Sequence, residues 1–406
     1  MLILHTSDFH IGRTLYDKPL LEDQKYILKQ IIQELENPAG MEEGSKYDVL
    51  IIAGDIYDRS LPSQEAVELF SNFLEEIYTR LPELEIMIIP GNHDSSSRLA
   101  YLSRILKKLK IHIVSDIKDS ITPVLVEKNG EKVQFFLLPY LYGKNFDFTF
   151  PRLEDTLFPP GQEQMVQTCI NAITGKMDKK IPSVLAAHLY TLGGEQSQSE
   201  RGTLGDTEFV ARDFSKDFTY TALGHLHKTQ KITGSCFYSG SPLQYSFDEA
   251  PEKNIIRVKI EPKTKKTEPE IQLVPLNPLR KLKKLQGKFS DFMTGNKFKT
   301  YKDQYLEITL EDRGIVENPM LLLKPRFPNL LSIRQKALEP EQDRQKNEKQ
   351  ANTEYLKLSQ EERILNDYEK FLRDIYQNES EEFFAEKEKE KNYLGKLLEE
   401  LKNETG

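Results

Sequence analysis

Most of the side chains that could carry chemistry lie in five short motifs. Each motif follows an apolar run, and together they contain five of the chain's seven histidines. The other two, His5 and His112, lie inside apolar runs, which favours a structural role for them. The motifs are Ser7-Asp8-Phe9-His10, Gly54-Asp55-Ile56-Tyr57-Asp58-Arg59, Gly91-Asn92-His93-Asp94, Ala187-His188 and Gly224-His225-Leu226-His227.

The donor groups in these motifs suit a pair of divalent ions. Two carboxylates, one amide oxygen and four imidazoles exceed the four ligands of a tetrahedral zinc ion. They suit two ions of higher coordination number that share a bridging carboxylate, and the mixture of oxygen and nitrogen favours Mn²⁺, with Fe or Zn as alternatives. Two ions ~3.5–4 Å apart can activate a water molecule to attack a phosphoester. The seven donors are Asp8, His10, Asp55, Asn92, His188, His225 and His227.

Each motif taken alone has a simpler explanation. An Asp-x-His or Gly-His-x-His motif is weak evidence, because a lone histidine is more often a hydrogen-bonded core residue. Five motifs that each follow an apolar run are difficult to reconcile with five independent structural roles. We therefore predict a dinuclear metal site.

The spacing of apolar residues predicts the elements that position the motifs. Apolar runs predict buried strands, and the segments 22–35 and 64–80 have the apolar spacing of amphipathic helices. Such strands, covered on both faces, indicate a layered α/β fold with a mixed sheet or two packed sheets. Each motif then lies at the C-terminal end of a strand, where ligands gather in open α/β folds. The predicted strands lie near 2–4, 49–53, 86–89, 121–127, 132–138, 183–187, 219–223 and 254–260.

Composition excludes several classes of protein. The chain has 406 residues, a formal net charge of −8 and 38% hydrophobic residues, which fits two to three globular domains and argues against whole-chain disorder. Cys169 and Cys236 are the only cysteines, which excludes a cysteine-based metal site and favours a reducing compartment. The first residues are too poor in apolar side chains for a signal peptide, and no run could span a bilayer. We therefore expect a cytoplasmic protein with no membrane partner.

Charge is unevenly distributed along the chain. The segment 280–302 has eight basic residues and one acidic residue, whereas 331–406 has 14 basic and 19 acidic residues. We expect 268–330 to combine short strands, such as 304–310, with a basic helical stretch. The predicted domains are 1–265, a small α+β domain at 266–335, and a linker with a helical tail at 336–406.

The tail carries two apolar stripes at helical spacing. The first stripe comprises Ile364, Tyr368, Phe371 or Leu372, and Ile375, and a capping box at Ser359 and Glu362 precedes it. The second stripe comprises Leu394, Leu397, Leu398 and Leu401. Because the tail offers these stripes little to pack against, they either fold back on the body or bind a partner helix.

The motifs resemble those of the calcineurin-like metallophosphoesterases. The order SDFHIGR, GDIYDR, GNHD, AAH and GHLH is similar to that superfamily. The resemblance is closer to the bacterial SbcD-type DNA nuclease subunits, which partner the SMC-like ATPase SbcC. The resemblance is strong over 1–260 and moderate over 268–335, and in the tail only the character of the sequence is similar. The segments that make the resemblance specific to the SbcD-type subunits are His10-Ile-Gly-Arg13, Gly193-Gly-Glu195 ahead of Ser199-Glu-Arg201, Ala222-Leu-Gly-His-Leu-His227, and Tyr238-Ser-Gly-Ser-Pro242 through Ser246-Phe-Asp-Glu249.

The resemblance implies a fold and a set of metal ligands. The fold would be a two-sheet sandwich flanked by helices, with a small α+β capping domain and a helical C-terminal tail. One ion would be held by Asp8, His10, Asp55 and His227, and the other by Asp55, Asn92, His188 and His225. His93 would not bind metal, but would hydrogen-bond the phosphate and help to protonate the departing sugar oxygen.

Two more carboxylates of the motifs would act through their neighbours. Asp94 would orient His93 or cap the helix that starts near Ser96. At position 58 the sequence departs from the archaeal and eukaryotic branch, which has a histidine there, and carries Asp58 as bacterial relatives do. Because a carboxylate cannot donate a hydrogen bond to phosphate unless it is protonated, we expect Asp58 to orient neighbouring groups.

The resemblance also implies contacts with DNA and with a protein partner. Basic residues of the capping domain would contact phosphates, which positions DNA without reading its sequence; the alternative is a solvated helix face. The tail helices would grip the coiled-coil base of SbcC, and the nuclease domain would form a homodimer within a heterotetramer. The predicted DNA-binding residues are Arg280, Lys281, Lys283 and Lys284.

The implied function is that of a Mn²⁺-dependent DNA exonuclease and endonuclease subunit. It would act on double- and single-stranded DNA, at ends and hairpins, in repair, recombination and replication, and would be associated with the nucleoid. A small-molecule phosphodiesterase or phosphatase would use the same ions but needs no basic subdomain or partner-seeking helices. A DNA-tethering subunit with a vestigial metal site would require a missing ligand, and none of the seven is missing.

Overall fold

The sheets and helices are those of a computed structural model, in which the chain separates into two compact units, Met1–Gln335 and Lys336–Gly406. All the described strands and α-helices belong to the first unit. The predicted tail helices, together with Ser199 and Arg201, lie outside the described residues. The described residues are 1–128, 130–142, 146, 161–197, 200, 210–261 and 268–338.

Six strands form the first sheet. In sheet order they are β14 (Glu270–Leu276), β13 (Lys253–Lys259), β1 (Leu2–Thr6), β4 (Val49–Ala53), β5 (Glu85–Ile89) and β6 (Ile111–Ile113). The strands β1, β4, β5 and β6 are parallel, and β13 joins β1 in antiparallel register. The parallel strands are continuous apolar runs, as expected of strands that are covered on both faces.

A second sheet also has six strands. In sheet order they are β11 (Gln230–Thr233), β12 (Cys236–Tyr238), β10 (Tyr220–Gly224), β9 (Ser183–His188), β8 (Glu131–Leu138) and β7 (Val124–Lys128). The four central strands are parallel, and the edge strands β7 and β11 are antiparallel to their neighbours. A short ribbon of β2 (Thr14–Leu15) and β3 (Lys18–Pro19) extends from the loop after β1.

The inner faces of the two sheets pack against each other. Ile3, Ile51 and Met87 of the first sheet share one buried cluster with Phe135 and Tyr220 of the second. Because side chains alternate along a strand, the other half of each strand faces outward and needs a second cover. The predicted strands are therefore confirmed, and the arrangement is two packed sheets.

Helices cover both outer faces. They are α1 (Leu21–Glu36), α2 (Gln64–Arg80), α3 (Ser96–Leu99), α4 (Ser103–Leu106), α5 (Ile117–Ser120) and α6 (Gln162–Lys176). On the first sheet, α1 and α2 bury residues at helical spacing, such as Ile27, Ile31 and Phe73. On the second sheet, α6 buries Ile170 and Ile173. The resulting helix–sheet–sheet–helix layers confirm the predicted α/β class. Nowhere in the described ranges is a helix long and apolar enough to cross a membrane.

A small parallel sheet lies at the C-terminal end of the first unit. Its strands, in order, are β15 (Leu282–Gly287), β16 (Tyr305–Leu310) and β17 (Leu330–Gln335). It packs with α7 (Phe289–Met293) and α8 (Pro319–Leu323) around a core of its own, which includes Phe292 and Phe327. Short 3₁₀ turns lie at Lys107–Leu109, Arg212–Ser215, Lys299–Tyr301 and Lys336–Leu338. The predicted domain bounds at 265 and 335 stay a prediction.

One prediction about this small sheet was wrong. The basic stretch within 280–302 was expected to be helical, but Leu282–Gly287 is a strand. Leu282 and Leu285 stand three residues apart, which is a helical spacing, yet each pairs with a residue of β16. Non-local pairing of a short segment therefore outweighs its local helical pattern.

Gly224 gives a direct test of how closely the two sheets approach each other. A Cβ atom at this position would lie 1.8 Å from the carbonyl oxygen of Ala53, which is backbone and cannot rotate away. We expect Gly224→Ala to lower the free energy of unfolding in urea by ~3 kcal/mol or more.

Gly175→Ala is the matched control, because nothing lies within 4 Å of a Cβ atom built at Gly175 in α6. That variant should be as stable as the parent chain, or more stable by up to ~1 kcal/mol, since alanine favours helix. Equal stability of the two variants would contradict the close approach of the sheets.

Candidate metal centre

All five motifs meet at one edge of the sandwich. They leave the C-terminal ends of β1, β4 and β5 in the first sheet and of β9 and β10 in the second. Because neighbouring strands in each set are parallel, these ends lie side by side. The structure thereby brings together all seven predicted ligands, namely Asp8, His10, Asp55, Asn92, His188, His225 and His227.

Backbone pairing continues past the ends of the strands. The N–H of Asp8 donates to the carbonyl of Gly54 at 3.0 Å, and that of His10 donates to the carbonyl of Asp55 at 2.9 Å. Asp8, His10, Asp55 and His225 all have left-handed backbone, with φ between 44° and 109°. Such backbone is costly for residues other than glycine and collects at functional sites.

Asp55 lies at the centre of the cluster. Its Oδ2 atom is 3.6 Å from Nε2 of His10 and 3.5 Å from Nε2 of His188. Its other oxygen accepts a hydrogen bond from the backbone N–H of His93 at 2.9 Å. One carboxylate thus faces a histidine of each sheet, which is the position that a bridging ligand requires.

The remaining donors form two groups around Asp55. In the first, Nε2 of His10 is 3.1 Å from Nε2 of His227. In the second, Oδ1 of Asn92 is 3.0 Å from Nε2 of His188 and 3.1 Å from Nδ1 of His225. Each group therefore gathers donor atoms from both sheets.

The donor atoms fit a divalent metal. Within the described ranges, three sets of residues each place ligand atoms within 4.8 Å of one another. Nε2 of His10, which faces Asp55 and His227, is one of these atoms that lie close together in a buried cluster. Carboxylate oxygens and imidazole nitrogens are ligands that divalent transition ions accept, so this edge of the sandwich is a divalent-metal site. The sets are Asp8 with His10 and His227, Asp8 with Asp55 and His188, and His10 with Asp55 and His93.

Burial and mutual charge shift the pKa values in the cluster. Burial raises the pKa of Asp8 to about 6 and lowers that of His225 to about 3. Burial also opposes the charge on Asp55, but the imidazoles of His188, His10 and His93 together outweigh it and hold the pKa of Asp55 well below its ordinary value. Burial lowers and Asp55 raises the pKa of His188, with a net rise to about 9. A bound dication would stabilise the charged forms of both carboxylates.

His93 lies beside the cluster, partly buried. Its ring nitrogen Nδ1 is 2.9 Å from the carbonyl oxygen of Asp58, and because a carbonyl only accepts, Nδ1 carries the proton. The Asp58 carboxylate is 3.0 Å from Nη1 of Arg13 and 3.6 Å from Nδ1 of His10. Asp58 therefore lies beside both His93 and His10, and its role as an orienting residue stays a prediction.

Asp94 contacts groups that differ from those expected. Its carboxylate accepts hydrogen bonds from the backbone N–H groups of Gly91 at 2.9 Å, Ile56 at 3.0 Å and Tyr57 at 2.9 Å. The sequence suggested the ring of His93 or the start of α3 as its partner. Instead, Asp94 ties the loop after β5 to the loop after β4, because those backbone donors are buried and need an acceptor.

Two residues that hold the site were not predicted. Gln24 of α1 donates from Nε2 to the carbonyl of His10 at 2.7 Å. Glu249 accepts from Nδ1 of His227 at 2.9 Å. A signal for Gln24 is a polar residue on the apolar face of a helix, and Glu249 belongs to a segment that carried the family resemblance.

The predicted DNA-binding residues lie on the small sheet and on the segment leading into it. Arg280 donates to Asp23 at 2.8 Å and to Glu22 at 2.5 Å, both on α1. Lys281 and Lys284 are exposed and Lys283 is half-buried, and Lys284 lies 3.8 Å from a carboxylate oxygen of Glu307. None of the four belongs to the described metal-ligand sets.

Comparison with known proteins agrees with this site. The family model described as calcineurin-like phosphoesterase matches residues 1–229, which include all seven predicted ligands. The chain therefore belongs to the calcineurin-like phosphoesterase family. It is a metal-dependent phosphodiester hydrolase.

Two more comparisons extend beyond the catalytic fold. The model described as type 5 capsule protein repressor C-terminal domain, SbcD_C, matches residues 275–370. The chain is 34% identical over 336 residues to the D subunit of nuclease SbcCD from Staphylococcus epidermidis, covering 82% of this chain and 85% of that one. Within the family it is an SbcD-type metallophosphoesterase.

One solved structure is only distantly similar. A hypothetical protein from Thermus thermophilus shares 9% sequence identity, with a TM-score of 0.34, over 68% of this chain and 100% of that one. A likeness at that level carries no argument about the fold.

Metal binding should stabilise the folded chain, because the ligands come together only when the strands do. At a free Mn²⁺ concentration a hundred times Kd, mass action adds ~2.7 kcal/mol to the free energy of unfolding. We expect a higher Tm in Mn²⁺ than in EDTA by calorimetry, and Asp55→Asn should lose most of that rise. Glu83→Gln, at an exposed carboxylate, should keep it, and an equal rise in both variants would place the ion elsewhere.

Proposed function

We propose that this chain is the Mn²⁺-dependent DNA nuclease subunit of an SbcCD-type complex, hydrolysing backbone phosphodiesters at DNA ends and hairpins. The observation that carries the proposal is the convergence of seven oxygen and nitrogen donors from five loops. The relative named as a nuclease subunit matches 82% of the chain, which supports DNA as the substrate. That substrate would place the protein at the nucleoid.

The proposed ligand assignment has two ions that share Asp55. Asp8, His10 and His227 would complete one site, and Asn92, His188 and His225 the other. When bound, the two ions activate a water molecule and stabilise the charge on the attacking and leaving oxygens of the phosphodiester. The mixture of oxygen and nitrogen donors favours Mn²⁺ over zinc.

His93 is the proposed general acid. The hydrogen bond to the carbonyl of Asp58 fixes its ring by Nδ1, so Nε2 is the nitrogen available to the phosphate and the departing sugar oxygen. Asp94 braces the loop on which His93 stands, and the Arg13–Asp58 ion pair braces the adjoining loop. Asp58 and Asp94 are thus positioning residues.

The small sheet is the proposed DNA-capping module. Lys281 and Lys283 stand on one face of β15 and its entry and Lys284 on the other. The exposed ammonium groups of Lys281 and Lys284 and the half-buried Lys283 would contact a phosphate backbone. Arg280 would join them only by exchanging the carboxylates of Glu22 and Asp23 for phosphate. We therefore assign most of the contact to the three lysines.

The tail and the nuclease domain are the proposed protein interfaces. The apolar stripes of the tail, outside the described residues, would bind the coiled coil of an SbcC-type ATPase, as the name of the relative supports. The exposed side chains of Val67, Tyr101 and Leu102 line a groove of about 820 Å³ beside α2. A second copy of this chain would cover it, since exposed patches of this kind mark interfaces.

The small-molecule alternative is not favoured. The similarity to a nuclease subunit continues through 275–370, beyond the fold that holds the metal ligands. A small phosphoester would need no such extension, whereas a polymer with a phosphate backbone would use its lysines.

Loss of the His93 imidazole should slow cleavage without removing metal. We expect His93→Ala to reduce cleavage of a labelled hairpin in Mn²⁺ by ~10²–10⁴-fold, the usual contribution of a general acid. Bound Mn²⁺, measured by elemental analysis, should remain at the parent level. In contrast, Asp55→Asn should lose both cleavage and metal. Undiminished cleavage by His93→Ala would remove that residue from the mechanism.

The three proposed DNA-binding lysines should contribute to the salt dependence of DNA binding. Replacing Lys281, Lys283 and Lys284 with glutamine should weaken duplex binding and reduce the slope of log K against log salt by ~0.9 for each lost phosphate contact. Filter binding at several salt concentrations measures this slope. Lys110→Gln, on an exposed ion pair with Glu83, is the control, and an unchanged slope in the triple variant would refute the DNA-binding surface.

A further inference from the structure

A buried ion pair lies directly behind one of the metal-site histidines. Glu249 accepts from Nδ1 of His227 at 2.9 Å through one oxygen, and from Nζ of Lys253 at 2.6 Å through the other. Glu249 is 7% exposed and Lys253 only 3%. Burying two charges is costly unless both are paired and hydrogen-bonded, so the arrangement needs an explanation beyond stability.

The carboxylate determines which nitrogen of His227 is available. An ionised carboxylate only accepts hydrogen bonds, so Nδ1 must carry a proton. Nε2 then keeps its lone pair, and Nε2 is the atom that lies 3.1 Å from Nε2 of His10 inside the cluster. Glu249 therefore sets both the tautomer and the rotation of the His227 ring.

Lys253 holds the same histidine by its backbone. Besides Glu249, its ammonium group donates to the carbonyl of His227 at 3.0 Å and to Oγ of Ser241 at 2.9 Å. An ammonium group has three donors, and all three have acceptors here. His227 is thus held at its ring through Glu249 and at its backbone carbonyl through Lys253, while its backbone N–H donates to Glu200. Glu200 lies 4.0 Å from Nδ1, too far for a hydrogen bond.

The other metal-site histidines are supported differently. Nδ1 of His188 is 2.9 Å from the carbonyl oxygen of Ala53, which is backbone of β4. Nδ1 of His10 lies 3.6 Å from a carboxylate oxygen of Asp58, which is too far for a hydrogen bond. A side-chain substitution can therefore release the ring of His227 without touching a ligand, whereas the support of His188 belongs to the fold itself.

We propose that Glu249 and Lys253 form a buried latch that orients His227 and sets the affinity for the metal ion at the Asp8–His10–His227 end of the site. Glu249 and Lys253 are positioning residues, because they act through His227. The inference rests on the two-ion assignment of the proposed function. It also predicts that the two ions are affected differently. Disrupting the latch should weaken the binding of one ion and leave unchanged the binding of the ion held by Asn92, His188 and His225.

The experiment is a calorimetric titration of Mn²⁺ into the metal-free full chain. The parent chain should bind two ions. Glu249→Ala should bind one of them 10–100-fold more weakly, the usual effect of losing the partner of a ligating histidine, and the other within about twofold of the parent chain. Glu249→Gln, which keeps an acceptor oxygen, should show a smaller loss at the same ion, and Lys253→Met should affect that ion also.

Glu34→Gln is the matched control. Glu34 is also 7% exposed and pairs with the buried Arg257, but away from the cluster. This variant should melt at a lower temperature in EDTA yet bind both ions as the parent chain does. If Glu249→Ala does not fold, as judged by circular dichroism in EDTA, Glu249→Gln decides the question.

Two outcomes separate the latch from the function it serves. Two ions on the parent chain, bound equally well by Glu249→Ala or, where that fails to fold, by Glu249→Gln, would overturn the latch and leave the proposed nuclease intact. Fewer than two ions on the parent chain would overturn both. Weakening of both ions to the same degree would also overturn the latch, because it would indicate a general loss of structure rather than release of one ring.

Discussion

Two carboxylates are buried close together, and the rest of the site depends on how their charge is balanced. Asp8 is fully buried and Asp55 is 2% exposed. Burial opposes ionisation of both, and the protein compensates with imidazoles, since Asp55 and His188 shift each other's pKa in opposite directions. Asp8 keeps a pKa raised to about 6. A bound dication would complete the balance, and donors from the two sheets converge where it would be held.

Local patterns were sufficient to predict the fold wherever one element decided its own structure. Residues 64–80 have a helical period over more than four turns, and α2 has these bounds. Continuous apolar runs such as 49–53 can be buried only between two layers, so the layered class followed. The helix prediction failed for residues 282–287 because their structure depends on β16, which is more than twenty residues away along the chain. The spacing of two leucines within a short segment carries no information about a strand so far away along the chain.

The same distinction separates the predicted site residues from the missed ones. The predicted ligands are Asp, Asn and His residues at strand ends, so residue type and position together singled out the donors that the structure brings together. Supporting residues have no such requirement. Gln24 reaches the His10 carbonyl from a helix, and Asp94 binds three backbone N–H groups from two loops. Any donor near the His10 carbonyl, and any acceptor near those N–H groups, could make these hydrogen bonds, so only the folded geometry shows which residue does so.

The structure shows that one basic residue of the segment 280–302 is already paired with carboxylates. The segment 280–302 has eight basic residues, although the net charge of the whole chain is −8. The first of them, Arg280, is held by two carboxylates and lies over the ring of Tyr305, so it joins the small sheet to α1. Gln24, one residue after Asp23 on that helix, holds the loop of His10. The first turn of α1 therefore contacts both the module proposed to bind DNA and the loop that carries a metal ligand. A phosphate that competed for Arg280 would act on that shared turn, whereas phosphates bound by the exposed lysines would not.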